Sequence, residues 1–173
     1  MRAPVKVKFI KGGFGRVLRE LTTPITGAIY TPVNSSFPAV LQDYIRNLRF
    51  NESTTPKPAI IITALDLSHV QASVKCAKKH NLLKKTRSGG HNYEGLSYVA
   101  DHPFFILDLF NLRSINVSIE DETAWVQTGA SLGELYYRIA EKSSIHGFPG
   151  GVCPTVGVGG QFSAAGYGVM MRK

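Results

Sequence analysis

Residues 147–168 read GFPGGVCPTVGVGGQFSAAGYG, with eight glycines in twenty-two positions. Glycine at this density removes the side chains that a helix or strand would pack, and each one adds backbone entropy that folding must overcome. The stretch therefore reads as neither ordinary helix nor ordinary strand. It is either a flexible linker or a main-chain cradle for a ligand. Linkers are rich in Ser and Pro and poor in large apolar side chains. Val156, Phe162 and Tyr167 interrupt this one, which favours the cradle.

A second loose segment points the same way. RSGGHNYEG, residues 87–95, sets one imidazole, His91, among three glycines. Without a Cβ, main-chain amides can approach a ligand closely, and successive amides turned into one concavity bind anions. Two such loops suggest a phosphate or pyrophosphate. The common short motifs are absent. There is no GxxxxGKS or GxxxxGKT, and the nearest GxGxxG attempt, Gly157-x-Gly159, carries Phe162 where the third glycine belongs.

The segments around the loops form an α+β pattern. TPKP (55–58) is a stiff lead-in that disfavours helix before it. AIIITAL (59–65) is a continuous β-branched run, as in a strand buried on both faces. Ser68 and Gln71 then fit a capping box, and Val70, Val74 and Ala77 recur at helical spacing up to a stop at Asn81. LLKKTR (82–87) completes a β–α–β pattern that runs into the first loop. FFILDL (104–109) reads as another buried strand. INVSIED and TAWVQTG pair about a turn at 120–122. Ser131 and Glu134 make a second capping box, opening a helix with Leu132, Leu135, Tyr136, Ile139 and Ala140 on one face and ending before Gly147.

Charge and cysteine content narrow the function. Of the net charge of +8, residues 1–20 carry +5: Arg2, Lys6, Lys8, Lys11, Arg16 and Arg19 against Glu20. This describes a basic tail on a nearly balanced domain. A nucleic-acid face would interleave basic with stacking aromatic residues, so no nucleic-acid partner is expected. No run of eighteen apolar residues occurs, so no membrane helix is expected. Lysines break any apolar core of a secretory signal in the first residues. Cys76 and Cys153 are the only cysteines, and neither CxxC nor HxxxH occurs, so no metal site is expected. His69, His80, His102 and His146 read as surface or turn residues. Three glycosylation sequons, at Asn34, Asn51 and Asn116, lean toward a secretory ancestry.

RSGGHNYEGLSY (87–98), FFILDLFNLRSI (104–115), GASLGELYYRIAEKS (129–143) and HGFPGGVCPTVGVGG (146–160) together resemble the berberine bridge enzyme-like family of plants. These are flavin oxidoreductases of the vanillyl-alcohol oxidase superfamily with a PCMH-type FAD-binding domain. The likeness covers roughly residues 24 to 173. It implies a PCMH-type fold comprising a first α/β subdomain and an incomplete second one. The expected organisation is an atypical basic tail over 1–23, a lead-in over 24–56, and an FAD-binding domain over 57–173 truncated at its C-terminal end.

By position, the resemblance implies two covalent links to FAD: His91 to a ring methyl group, and Cys153 to the neighbouring ring carbon six. Arg87, Ser88, Gly89, Gly90, Asn92, Tyr93 and Gly95 are expected around the cofactor from the first loop. Thr155, Val156, Gly157, Val158, Gly159 and Gly160 are expected from the second. Val156 stands at a position that gates oxygen in the family, and a compact Val implies oxidase behaviour. Cys76 stands where the family has half of a structural disulfide. Residues 1–23 hold no cysteine, so Cys76 is expected free. The implied partners are FAD, a small alcohol, sugar or alkaloid substrate, and oxygen, with secretion to the cell wall space. No catalytic base is identifiable, since the family supplies it from a C-terminal part.

The chain departs from the family in places. Where members commonly read GGHFSGGGYG, it reads GGQFSAAGYG, so Gln161 replaces an imidazole, and Ala164 and Ala165 replace glycines that positive φ or close cofactor approach would require. The alternative to a working oxidoreductase is therefore an inactive remnant that binds FAD weakly or not at all. A nucleic-acid-binding module has only net charge behind it.

Overall fold

The computed structural model describes residues 25–164 and 166–169. The basic tail, Ala165 and the terminal Met171, Arg172 and Lys173 lie outside the described residues. A four-stranded sheet is built from β1 (Ile29–Tyr30), β2 (Ile60–Thr63), β3 (Leu83–Arg87) and β4 (Phe104–Asp108), in the order β1-β2-β4-β3. β1 runs antiparallel to β2, and β2 and β3 both run parallel to β4. Helices α1 (Phe37–Gln42) and α2 (Leu67–His80) cover it. A separate antiparallel hairpin, β5 (Ile115–Ser118) and β6 (Thr123–Val126), packs with α3 (Leu132–Ala140), and a short helix α4 (Val158–Ser163) follows.

The main sheet is buried on both faces because its central strands are apolar up to their last residues, Thr63 and Asp108. Ile60, Ile62, Phe105 and Leu107 point to one side, with Ala77 of α2, Ile25 and Leu112. Ile61, Phe104 and Ile106 point to the other, with Phe37 and Leu41 of α1, Ile45 and Tyr98. Alternate residues of one strand thus feed opposite cores. Each such side chain contributes about 1.5–3 kcal/mol when fully buried. The segment expected as a lead-in supplies β1, α1 and much of the second core. The hairpin holds a third core of Val117, Ala130, Leu132, Leu135, Ile139 and Val158.

Several local expectations are corrected. Asp66, not Ser68, caps α2: it is extended (φ −148°, ψ 159°), and its carboxylate accepts from Ser68 N at 2.8 Å. A carboxylate there satisfies an orphan amide and favours the positive end of the helix. The inward stripe of α2 is His69, Ala72, Ser73, Cys76 and Ala77, at i, i+3, i+4, i+7 and i+8, while Val74 is 42% exposed. Small residues there let the helix lie close to the sheet, so spacing outranks β-branching as the signal. His69 is accordingly buried, not a surface residue, and its Nδ1 accepts from Leu65 N at 3.3 Å. In α3, Ala140 is exposed, turned off the face on which Leu132, Leu135 and Ile139 are buried. The glycine-rich run does contain a helix, α4, entered from extended Gly157 (φ −73°, ψ 136°).

The stop of α2 and the cap of α3 match the sequence closely. Asn81 ends α2 in the left-handed region at φ 50°. Ser131 and Glu134 form a complete reciprocal capping box, an arrangement in which the cap alone is worth about 1 kcal/mol. Cys76 is a free, buried thiol and Cys153 a free, exposed one. Among the described residues, no helix is long and apolar enough to cross a membrane, and no group of His, Cys, Asp or Glu is arranged to hold a metal ion.

Candidate functional site

The first glycine loop leaves the sheet at the end of β3. Arg87, expected among the ligand-contacting residues, is fully buried. Its Nε and Nη2 donate to Asp108 Oδ2 at 2.8 and 2.5 Å, Nη1 donates to Leu41 O at 2.7 Å, and Nη2 also donates to Val40 O at 2.7 Å. The guanidinium thus ties the ends of β3 and β4 to the C-terminal turn of α1. It anchors the loop from below, with its side chain committed to the core.

From that anchor the chain enters a fold with few internal bonds. Among the described residues, none accepts a hydrogen bond from the main-chain N–H groups of residues 88–93. Gly90 has φ +69°, and a Cβ there would overlap the Tyr44 carbonyl. Asn92 closes the loop, its Oδ1 accepting from Glu94 N and Leu96 N, both at 3.0 Å. Gly95, at φ +65°, packs against Phe50 and Tyr98. Tyr93 is 85% exposed.

The second loop reaches the first. Val156 N donates to Cys153 O at 3.2 Å, closing a turn that carries Thr155. The Thr155 hydroxyl lies 2.9 Å from His91 Nε2. The imidazole and the segment bearing the exposed Cys153 thiol therefore share one side of the molecule. The loops cross at Gly89 and Gly157, where a Cβ on either would strike the backbone of the other. Ser88 Oγ donates to Thr128 O at 2.6 Å beside this crossing.

The amides of the second loop are differently engaged. Val158 N donates to Ala130 O at 2.8 Å and Gly159 N to Thr128 O at 3.2 Å, and the Val158 side chain is buried in the third core. The continuous run of unengaged amides is that of the first loop, residues 88–93. Val156 packs partly buried at the edge of the same core. Gly160 has open space where a Cβ would stand. Ala164 sits at φ −117°, so its methyl group meets no left-handed backbone. Gln161 Oε1 lies over Gly151 and Gly166.

Burial, reinforced by the Arg46 guanidinium, holds the His91 imidazole below its ordinary 6.5, against an opposing hydrogen bond with Thr155. The ring is therefore neutral at pH 7, with a nitrogen lone pair available. A neutral imidazole, a nearby thiol and a run of free amides match a ligand that is anionic at one end and electrophilic at the other. FAD has both properties, and the residues present fit it. Sequence reasoning missed Tyr44, Arg46, Asn47 and Thr128, which touch the loop from outside both glycine motifs. No short motif marks them. A cavity of about 690 Å³ lies elsewhere, between α3 and the hairpin, lined by Arg113, Glu134, Arg138 and Lys142 among others. Most of its charges are already matched, Arg113 to Glu134 at 2.6 Å and Arg138 to Glu141 at 2.7 Å, and the Lys142 ammonium donates to the Val117 carbonyl.

Comparison with known proteins places this geometry. Residues 58–173 match a family described as an FAD binding domain. Berberine bridge enzyme-like 21 of Arabidopsis thaliana is 61% identical over 149 residues, covering 86% of this chain and 28% of the relative. Tetrahydroberberine oxidase of Berberis wilsoniae is 59% identical over 145 residues, covering 84% and 27%. Phl p 4, a grass pollen allergen with glucose dehydrogenase activity, superposes with a TM-score of 0.86 at 42% identity, covering 92% of this chain and 33% of its own. The chain thus spans less than a third of the length of the curated relatives it matches.

Proposed function

Since this chain belongs to the berberine bridge enzyme-like family of FAD-binding proteins, we propose that it forms the cofactor-holding part of an oxidoreductase that carries FAD covalently on both His91 and Cys153. The proposed substrate is an alcohol, sugar or alkaloid, and the electron acceptor is oxygen. The observation that carries this reading is the meeting of the two loops, with His91 Nε2 2.9 Å from the hydroxyl of Thr155 on the turn that starts at Cys153.

Bound FAD supplies an electron-poor ring that accepts hydride from the substrate and, as each link forms, the two electrons and two hydrogens displaced from the joined partners, all passed to oxygen as hydrogen peroxide. The chain's own residues do the rest. The amides of 88–93 hold the pyrophosphate, and Gly90 sets their direction. His91 and Cys153 provide nitrogen and sulfur nucleophiles. Thr155 orients the imidazole through its hydroxyl. Val156 leaves room for oxygen near the ring. Ser88, Gly89 and Gly157 hold the crossing that keeps the nucleophiles together. The exposed sequon residues Asn34, Asn51 and Asn116 support a secretory route.

The test is retention of flavin through denaturation. The chain is expressed with FAD, precipitated in acid and run on a denaturing gel under ultraviolet light. The expected outcome is a fluorescent protein band that persists in His91→Ala and in Cys153→Ala and is lost when both are replaced. A folded wild-type chain that releases all its flavin into acid overturns the reading and favours the inactive remnant.

A further inference from the structure

We propose that Arg46 is the positioning residue of His91: its guanidinium fixes the main chain beside the imidazole and keeps the ring a neutral base. The inference rests on the flavin-tethering reading and adds a residue outside both glycine loops.

The geometry is that of a strap. Residues 44–49 run alongside residues 89–94 and touch them repeatedly. The Tyr44 carbonyl abuts Gly90, where only glycine fits. Arg46 Nε donates to Gly89 O at 3.4 Å, Asn47 Nδ2 donates to Tyr93 O at 3.0 Å, and Arg49 pairs with Glu94 at 3.5 Å. Buried Ile45 pins the strap to the core. A 3.4 Å hydrogen bond is long and would not hold an arginine alone. Arg46 also lies over the Tyr44 ring, 5.3 Å from its centroid, and that ring is set between Phe110 at 5.0 Å and the buried Arg87 at 5.6 Å. Stacking on a fixed ring limits where the guanidinium can go.

The chemical consequence concerns the imidazole. A nitrogen that forms a bond to carbon must offer a lone pair, and protonation removes it. A cation held nearby disfavours a second positive charge. The other groups around His91 do not supply this effect. Thr155 on the second loop is a hydroxyl, and the Cys153 thiol is on the same turn. Glu94 on the first loop is engaged by Arg49. The Tyr44 phenol is pushed above its ordinary value, chiefly by burial, and is neutral at pH 7. Burial acts first on the ring, and Arg46, bonded to the Gly89 carbonyl two residues before His91, adds its positive charge to that effect.

The test reads His91 directly. The full chain, purified without flavin and labelled at histidine, is titrated by NMR, with the His91 resonance identified by its loss in His91→Gln. Arg46→Gln is expected to move the His91 midpoint upward, while Arg46→Lys, which keeps the charge, leaves it near the parent value. Acid-stable flavin attachment should slow in Arg46→Gln just below pH 6.5 and recover above it. An unmoved midpoint in Arg46→Gln, or an equal rise in Arg46→Lys, overturns the proposal. A variant with unchanged thermal stability excludes a general loss of fold as the cause of a shift. If the midpoint moves as expected yet no flavin ever becomes acid-stable, the role of Arg46 stands and the tethering reading falls.

Discussion

Replacing Arg87 with Met tests whether the residue before the first glycine loop serves the core or the ligand. The side chain is fully buried, and so is Asp108, its partner. Removing one member of a buried ion pair leaves an uncompensated charge, a loss of about 3–5 kcal/mol. Two carbonyls, Val40 O and Leu41 O, also lose their donors. Against a total stability of about 5–15 kcal/mol, that is a large fraction. With a urea dependence near 2 kcal/mol per molar, the midpoint should fall by roughly 1.5–2.5 M. Adding Asp108→Asn removes the stranded charge while an amide oxygen can still accept from Phe110 N, now bound at 2.9 Å. The double variant should therefore regain about 1 kcal/mol or more over Arg87→Met alone. Urea denaturation followed by far-ultraviolet circular dichroism measures both. A single variant losing less than about 1 kcal/mol, or a double variant less stable than the single, refutes the assignment of Arg87 to the core.

Two further tests address the crossing and the cap. Gly157→Ala forces a methyl group into Ser88 Oγ and the Gly89 backbone, an overpacking of about 1–3 kcal/mol that should lower the thermal midpoint by roughly 2–12 °C. Gly160→Ala, with open space at its Cβ, should leave the midpoint unchanged or raised, and a drop equal to that of Gly157→Ala would show that the crossing is not the constraint. Burial pushes the Glu134 carboxyl up, but hydrogen bonds from Ser131 and Arg113 outweigh it and hold the group below 4.5. Its stabilising contribution is present above that value and is lost as pH falls through the folded-state pKa. Glu134→Gln should therefore flatten the dependence of stability on pH below 4.5, and an unaltered slope there would remove Glu134 from the cap's energetics.

How much of this was legible depends on whether the cause of a feature is local. The strands at 60–63, 83–87 and 104–108, the hairpin turn near Glu122, the Asn81 stop and the Ser131 box follow from nearest-neighbour chemistry, and the sequence displays them. The burial of His69 does not: it follows from a small-residue stripe that is visible only once the sheet is known to lie beneath it. The role of Arg87 is equally hidden, because Asp108 comes from β4 and Val40 and Leu41 from α1, both distant in sequence. The strap at 44–49 has no motif at all, since its value lies in where α1 delivers it.

The glycines are the instructive case. Read in the sequence, both loops suggested amides turned toward a ligand. The structure divides that single signal into three physical causes. Gly90 is glycine because its backbone is left-handed and the Tyr44 carbonyl fills the space of a side chain. Gly89 and Gly157 are glycine because two chains pass each other there at main-chain distance. The amides of residues 88–93 are unengaged, whereas Val158 and Gly159 bond to a neighbouring segment. A glycine-rich stretch therefore marks close approach of the backbone to something, and only the fold says whether that something is a ligand or the protein itself. At the crossing it is the protein itself: Gly89 and Gly157 bring the Cys153 turn to His91, and the unengaged amides stand beside it. On the proposed function, a substitution that opened the crossing would separate His91 from the Cys153 turn without touching either, so Gly157→Ala should weaken joint attachment of flavin more than it weakens the fold.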